Sequence, residues 1–213
     1  MTFLLAALFC GVASALPAPG LGRGPGYCRA YGNTTSSYSF RGVYACATTA
    51  SPGPTPFDAN GDESFQCVEL SARFLWAVYG LWAGPGTGVR DGADLVSVVH
   101  ARYPRLRWGF PAPGSVPVAG DVVSLGPGGA VDARNGHTAI VISASQRRGR
   151  FRILSQNEPP GHAGEQTLRI DFSGRHNGRA LMDGVWTPAS WLELAHRRPH
   201  RHRTRHHGRN RPG

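Results

Sequence analysis

The chain changes character at Phe65-Gln66-Cys67-Val68-Glu69-Leu70, where a polar, glycine-rich stretch gives way to an apolar helical pattern. From Cys67 to about Tyr79, the apolar residues Val68, Ala72 and Leu75 recur at the spacing of one helix face. This spacing predicts a helix that begins at Cys67. Because the N-terminus of a helix carries partial positive charge, a cysteine there is favoured as a thiolate, the nucleophilic form of the side chain.

A histidine opens one of the predicted strands further along the chain. His137 follows Asn135-Gly136 and begins the β-branched run Thr138-Ala139-Ile140-Val141. Other short runs of this kind cover residues 121–125, 151–155 and 167–172. We therefore expect an α+β fold, in which the Cys67 helix packs on a small antiparallel sheet that carries His137.

The basic charge of the chain is concentrated at its C-terminal end. The 213 residues fit one ordinary domain with extensions, and the formal net charge is +10. Residues 196–213 contain seven arginines, five histidines and no acidic residue. This tail has no apolar face, so we predict that it is disordered and that it attracts polyanions, with nucleic acid bound only non-specifically.

The first residues have the pattern of a secretory signal peptide. An apolar run, too short for a comfortable membrane span, ends in Ala13-Ser14-Ala15, and the predicted leader is residues 1–15. A short buried or interfacial segment is the alternative. Residues 16–56 form a Pro/Gly-rich N-terminal segment, and no second stretch suggests a membrane span. We expect a secreted protein with no membrane-spanning segment after leader removal.

Cysteine usage singles out Cys67. Removal of the leader leaves Cys28, Cys46 and Cys67, and an odd count in a secreted protein implies one disulfide and one remaining thiol. Cys28 and Cys46 lie together in the polar N-terminal segment, so they are the natural pair. Cys67 then keeps its thiol, and an inert buried cysteine is the alternative interpretation.

A thiolate attacks an amide carbonyl only with a base beside it and a group that stabilises the oxyanion. His137 is the candidate base. Backbone N–H groups near Cys67, with the side chain of Gln66, are the candidate oxyanion donors. The strand over residues 151–155 is followed by Asn157 and Glu158, either of which could orient the imidazole as the third group of a triad.

Four motifs in order resemble those of the CHAP family, the cysteine- and histidine-dependent amidohydrolases and peptidases. The resemblance covers about residues 57–194 and implies a papain-like catalytic domain over residues 57–195. It implies a nucleophile at Cys67, a general base at His137 and an orienting Asn157, although Ser155 fills a position that is Glu in many members. The motifs are Phe65-Gln66-Cys67-Val68-Glu69-Leu70, Ala119-Gly120-Asp121-Val122-Val123, Gly136-His137-Thr138-Ala139-Ile140-Val141 and Ser155-Gln156-Asn157.

The same resemblance raises the question of calcium. The stretch Asp58-Ala59-Asn60-Gly61-Asp62-Glu63 alternates oxygen ligands around a glycine, although a plain Asx-rich turn has the same composition. Some phage-endolysin members of the family bind calcium just before the nucleophile, at offsets that match Asp58, Asn60, Asp62 and Glu69 here. We expect no cofactor for catalysis, and the spacing of His and Asp residues does not suit a zinc hydrolase.

The resemblance implies a substrate in the bacterial cell wall. We expect a monomeric, secreted or wall-associated enzyme that cleaves amide bonds of peptidoglycan, as a muramoyl-alanine amidase or a bridge endopeptidase. The basic tail would contact anionic wall polymers. Two alternatives stay open: an amidase or acyltransferase acting on a small non-wall substrate, and a noncatalytic wall-binding module. The joint presence of Cys67, His137 and Asn157 argues against the second alternative.

Overall fold

The computed structural model describes residues 16–18, 21–31, 34–47, 55–59, 66–128, 134–157, 163–182 and 184–194. The predicted leader, residues 1–15, and the predicted tail, residues 196–213, lie outside the described residues. No helix in the described part of the chain is long and apolar enough to cross a membrane. The helices are α1 (Gly26–Ala30), α2 (Cys67–Phe74) and α3 (Leu95–Arg102), with a π-helical turn at Leu75–Tyr79. The strands are β1 (Thr34–Phe40), β2 (Val43–Ala47), β3 (Arg107–Gly109), β4 (Val122–Leu125), β5 (His137–Ser145), β6 (Arg150–Gln156), β7 (Ala163–Ile170), β8 (Arg179–Met182) and β9 (Val185–Glu193).

The main sheet is a closed barrel, and the predicted fold class is therefore wrong. Strands β9, β4, β5, β6, β7 and β8 are neighbours in that order, and β8 pairs back with β9 to close a six-stranded ring. Strand accounts for 39% of the described residues and helix for 17%. A papain-like α+β arrangement of a Cys-bearing helix on a small sheet does not describe this architecture. The sequence analysis missed β8, a four-residue strand between turns, and with it the pairing that closes the sheet.

The barrel has an inner and an outer core. In β4 and β5 the register pairs Val122 with Ile140 and Val123 with Ala139. Because successive side chains of a strand point to opposite faces, Val123 and Ala139 fill the barrel interior, whereas Val122 and Ile140 pack outside against the helices. Helix α2 lies on this outer face, in contact with β5 and β6.

Helix α2 is buried all round. All eight of its residues are buried, as expected of a helix enclosed by other elements and not of a surface helix. The helical path continues through the π-helical turn and ends at Gly80, whose φ of 68° is the left-handed conformation favoured at a helix C-terminus. The predicted helix from Cys67 to about Tyr79 is confirmed.

An N-terminal hairpin covers α2 from the other side. Strands β1 and β2 pair antiparallel, and the hairpin packs on α2, β6 and β7. The predicted disulfide bond is present: Cys28 of α1 is joined to Cys46 of β2, with 5.4 Å between their Cα atoms. The segment that the sequence marked as Pro/Gly-rich thus contributes a packed layer over the helix that begins at Cys67.

A buried ion pair joins α2 to this hairpin and to the barrel. Glu69 and Arg73, one turn apart on α2, have fully buried side chains with 2.7 Å between Arg73 Nε and Glu69 Oε1. The same carboxylate accepts hydrogen bonds from Tyr27 Oη at 2.9 Å and from Gln156 Nε2 at 3.0 Å. Arg73 also donates to the carbonyl of Tyr44 at 2.9 Å. Burial, and next the Glu69 carboxylate, raise the pKa of Tyr27, so its hydroxyl remains a donor.

We predict that Arg73→Met lowers the free energy of unfolding by about 3 to 5 kcal/mol, because it leaves the Glu69 carboxylate buried without its cation. The double variant Glu69→Gln/Arg73→Met should be more stable than Arg73→Met alone, since it removes that charge as well. Guanidinium unfolding of the set measures both effects.

The matched control for this cycle is Arg90→Met. Arg90 forms an ion pair of the same i,i+4 spacing with Asp94, at 3.0 Å, but its side chain is 82% exposed. An exposed pair contributes about 0 to 1 kcal/mol, so this variant should remain close to wild type. Equal costs for Arg73→Met and Arg90→Met would contradict the importance assigned to the buried pair.

Candidate active site

Cys67 is the first residue of α2. Gln66 precedes it in an extended conformation, with ψ of 171°, and so marks the point where the chain enters the helix. The Cys67 thiol lies outside the Cys28–Cys46 disulfide, and the residue is 8% exposed. Its position at the helix N-terminus, beside the unsatisfied N–H groups of the first turn, favours negative charge on sulfur and on an adjoining oxyanion.

His137 is the first residue of β5 and is held by two glycines. Gly136 has a φ of 61°, and a Cβ there would overlap the carbonyl oxygen of Leu125. Gly92, on the loop before α3, lies so close to the strand that a Cβ would stand 2.6 Å from the carbonyl carbon of His137. Only glycine fits either position without movement of its neighbours. The backbone of His137 is therefore fixed on both sides by close packing.

A hydrogen bond between Ser71 and Thr138 joins α2 to β5. Ser71 lies one turn after Cys67 on α2, and Thr138 directly follows His137 on β5. Their hydroxyl oxygens are 3.2 Å apart, and Thr138 Oγ1 donates to the carbonyl of Val123 at 2.8 Å. All these groups are buried. This contact holds the start of α2, which carries Cys67, next to the start of β5, which carries His137.

Burial determines the protonation state of His137. The residue is 1% exposed, and burial lowers its pKa to about 3 from the ordinary value of 6.5. The ring is therefore neutral at pH 7, which is the form that can accept a proton. Negative charge that develops on a neighbouring group raises the proton affinity of the imidazole.

The end of β6 contacts the start of α2 through two adjacent residues. Asn157 has a φ of 62°, and its Nδ2 donates to Oε1 of Gln66. Gln156 is fully buried, and its Nε2 donates to the backbone carbonyl of Gln66 at 3.3 Å as well as to Glu69. The structure thus brings Asn157 to the candidate oxyanion residue Gln66. The predicted contact of Asn157 with the imidazole of His137 stays a prediction.

Sequence comparison identifies the segment that contains these groups. Residues 57–157 match the sequence model of the CHAP domain, from before Cys67 to Asn157. The chain carries a CHAP domain. No curated protein sequence matches the chain.

One solved structure similar to this chain is an N-acetylmuramoyl-L-alanine amidase from Staphylococcus aureus. The two are 17% identical with a TM-score of 0.39. The alignment covers 65% of this chain and 34% of the amidase, so this chain corresponds to about a third of that protein's length.

Two of the four predicted calcium ligands, Asp58 and Glu69, lie in the described part of the chain. Both oxygens of the Glu69 carboxylate are occupied, one by Tyr27 and Arg73 and the other by Gln156 and Arg73. An adjacent guanidinium also disfavours a second cation. Asp58 is buried, while Asn60 and Asp62 lie outside the described residues. Across the part of the chain that is described, no group of three His, Cys, Asp or Glu residues is placed to hold a metal ion. Glu69 therefore does not fit the role of a calcium ligand.

The sequence analysis missed the residues that hold the candidate groups in place. Gln156 is the middle residue of the motif Ser155-Gln156-Asn157. The alternation of residues along a strand does not predict its contacts with α2. Gly92 lies in a loop far from His137 in sequence, and only the fold shows their contact. The i,i+4 spacing of Glu69 and Arg73 was a readable signal, since such pairs face each other on a helix.

We predict that Gly92→Ala reduces turnover, because its Cβ would displace the backbone of His137. Relieving an overlap of this kind in a packed region costs about 1 to 3 kcal/mol of stability, and the displacement should lower kcat more than it raises KM. Hydrolysis kinetics and thermal unfolding measure the two effects.

Gly26→Ala is the matched control, since a Cβ at Gly26 meets no atom within 4 Å and α1 tolerates alanine. Gly26→Ala should match wild type in both measurements. Wild-type kcat in Gly92→Ala would contradict the claim that this contact fixes His137.

Proposed function

We propose that the protein is a secreted cysteine-dependent hydrolase that cleaves amide bonds in the peptide of peptidoglycan. The observation that carries this proposal is a CHAP domain in which Cys67 begins a buried helix and His137 begins the strand that this helix contacts. A thiol at a helix N-terminus and a neutral imidazole are the two groups that nucleophilic amide cleavage needs. The basic tail would contact anionic wall polymers.

In the proposed first step, the sulfur of Cys67 attacks the amide carbonyl carbon and its proton passes to His137. The neutral imidazole accepts this proton and becomes cationic beside the tetrahedral intermediate. When the C–N bond breaks, His137 returns the proton to the departing amine. The products of this step are a free amine and a thioester on Cys67.

In the second step, water hydrolyses the thioester. His137 takes a proton from the attacking water, the C–S bond breaks, and the proton returns to the sulfur of Cys67. The acyl group leaves as a carboxylic acid. The enzyme regains its starting state without an external cofactor.

The oxyanion of each tetrahedral intermediate would be stabilised at the start of α2. Oε1 of Gln66 accepts a hydrogen bond from Asn157, so Nε2 is the side-chain atom that would donate to the oxyanion. The backbone N–H groups of the first turn of α2 supply further donors. In this proposal Asn157 positions Gln66, and whether it also orients His137 is a separate prediction.

The proposed function predicts that Cys67→Ala abolishes digestion of purified cell wall. Loss of the nucleophile should lower the rate at least about 1,000-fold, because substrate binding without a nucleophile gives only a small residual rate. A turbidity assay measures digestion, and mass spectrometry of the released fragments identifies the amide bond.

Gly26→Ala provides the matched active control, because a Cβ at Gly26 meets no atom within 4 Å. Equal wall digestion by wild type and Cys67→Ala would overturn the proposal. Wild-type cleavage of small amides without release of wall fragments would assign the chain to the alternative substrate class. Binding to wall without any cleavage would assign it to the noncatalytic class.

A further inference from the structure

A basic face lies on the barrel at the opposite end of β6 from Asn157. The residues Ser143, Arg152 and Thr167 stand side by side on β5, β6 and β7, and the next row is formed by Ser145, Arg150 and Arg169. Paired residues of adjacent strands point to the same side of the sheet, so these six side chains share one outer face. The sequence analysis attributed the basic charge mainly to the tail, and this face is a second concentration within the fold.

Two of the positive charges on this face lie opposite each other, which disfavours the folded sheet. Arg150 and Arg169 are directly opposite each other across β6 and β7, and like charges in that position destabilise a sheet. Glu165 forms an ion pair with Arg152, and the guanidinium of Arg169 leans over the ring of Trp186. Arg148, in the turn before β6, adds a further positive charge to this end of the barrel. The ion pair of Arg152 and the ring contact of Arg169 account for part of this charge, but neither explains why Arg150 lies opposite Arg169, whereas an anionic ligand would.

The face contains a solvent-open cavity of about 210 Å³. The residues that line it include Arg148, Arg150 and Arg152 and hydroxyl-bearing residues of β5 and β7. None of the described lining residues is acidic, and Glu165, the ion-pair partner of Arg152, is not among them. Arginine donors with neighbouring hydroxyls match a group with several acceptor oxygens, as phosphate has. The volume accommodates a phosphate together with part of the polymer unit that carries it.

The lining also favours one kind of phosphate polymer. Phe151 is the aromatic residue of the cavity wall and is 1% exposed, so it offers no ring on which a nucleic acid base could stack. The nearby ring of Trp186 is covered by His176, with ring centroids 4.0 Å apart. A phosphate polymer built on a polyol needs no stacking surface.

We propose that this cavity binds a phosphate group of a polyol-phosphate polymer of the cell wall. The inference rests on the proposed function for its setting, and it deepens that function by adding an anchoring site. Arg150 and Arg152 lie on β6, seven and five residues before Asn157, which directly follows the strand, and this corresponds to roughly 17 to 23 Å. An anchored polymer would hold the protein on the wall while Cys67 acts on a peptide at the other end of the strand.

The test uses the full chain and poly(glycerol phosphate) as the probe, with binding measured by fluorescence anisotropy. The cavity variant is Arg148→Gln/Arg150→Gln/Arg152→Gln. The control variant, Arg102→Gln/Arg105→Gln/Arg134→Gln, removes the same charge from three exposed arginines elsewhere. Both variants keep the seven arginines of the tail, so any binding through the tail is common to them.

We expect the cavity variant to bind the polymer about tenfold or more weakly and with a flatter salt dependence, and the control variant to change by less than about twofold. Equal weakening in both variants would overturn the proposal, because it would show a general charge effect. An equal dependence of single-stranded DNA binding on the cavity would also overturn the choice of polymer.

The anchoring site and the catalytic proposal fail in different ways. The cavity variant should hydrolyse a soluble wall peptide at the wild-type rate and digest intact, polymer-bearing wall more slowly. A protein that hydrolyses no amide would refute the proposed function and leave the binding measurement valid. Wild-type polymer binding by a folded cavity variant would refute the anchoring site and leave the hydrolase proposal intact.

Discussion

The buried pair of Glu69 and Arg73 is the constraint on which the arrangement around Cys67 depends. A carboxylate and a guanidinium without solvent are stable only when their remaining hydrogen-bonding groups are also satisfied. Here the partners come from separate parts of the fold: Tyr27 from α1, the carbonyl of Tyr44 from β2 of the N-terminal hairpin, and Gln156 from β6. The pair therefore fixes the hairpin, the helix and the barrel relative to one another.

The same contacts reach the candidate catalytic groups within one or two residues. Gln156 holds the backbone of Gln66, directly before Cys67, and its neighbour Asn157 holds the Gln66 side chain. On the other side, Ser71 and Thr138 connect α2 to the strand that begins with His137. The ion pair is also the reason that Glu69 does not fit the role of a calcium ligand: Arg73, four residues later on the same helix, supplies the positive charge within the chain itself.

The sequence predicted the local features of this fold, but it did not predict that the sheet closes into a barrel. The helix at Cys67, the strand at His137 and the Cys28–Cys46 disulfide each depend on neighbouring residues or on simple counting, and all three are present. The barrel depends on β8, four residues between glycine-containing turns, whose pairing with β9 leaves no periodic signal. Likewise, the role of Gln156 arises from contacts with residues about ninety positions away, which one sequence cannot reveal.

Hydrogen–deuterium exchange of a Gln156→Leu variant tests most directly whether this network holds the start of α2. Leucine cannot donate to Gln66 or Glu69, so the account predicts faster exchange of the backbone amides of residues 70–74, by about tenfold or more, with unchanged exchange in β4 and β5. Unchanged exchange in α2 would contradict the account. A uniform rise in every strand would also contradict it, because it would show only a loss of global stability.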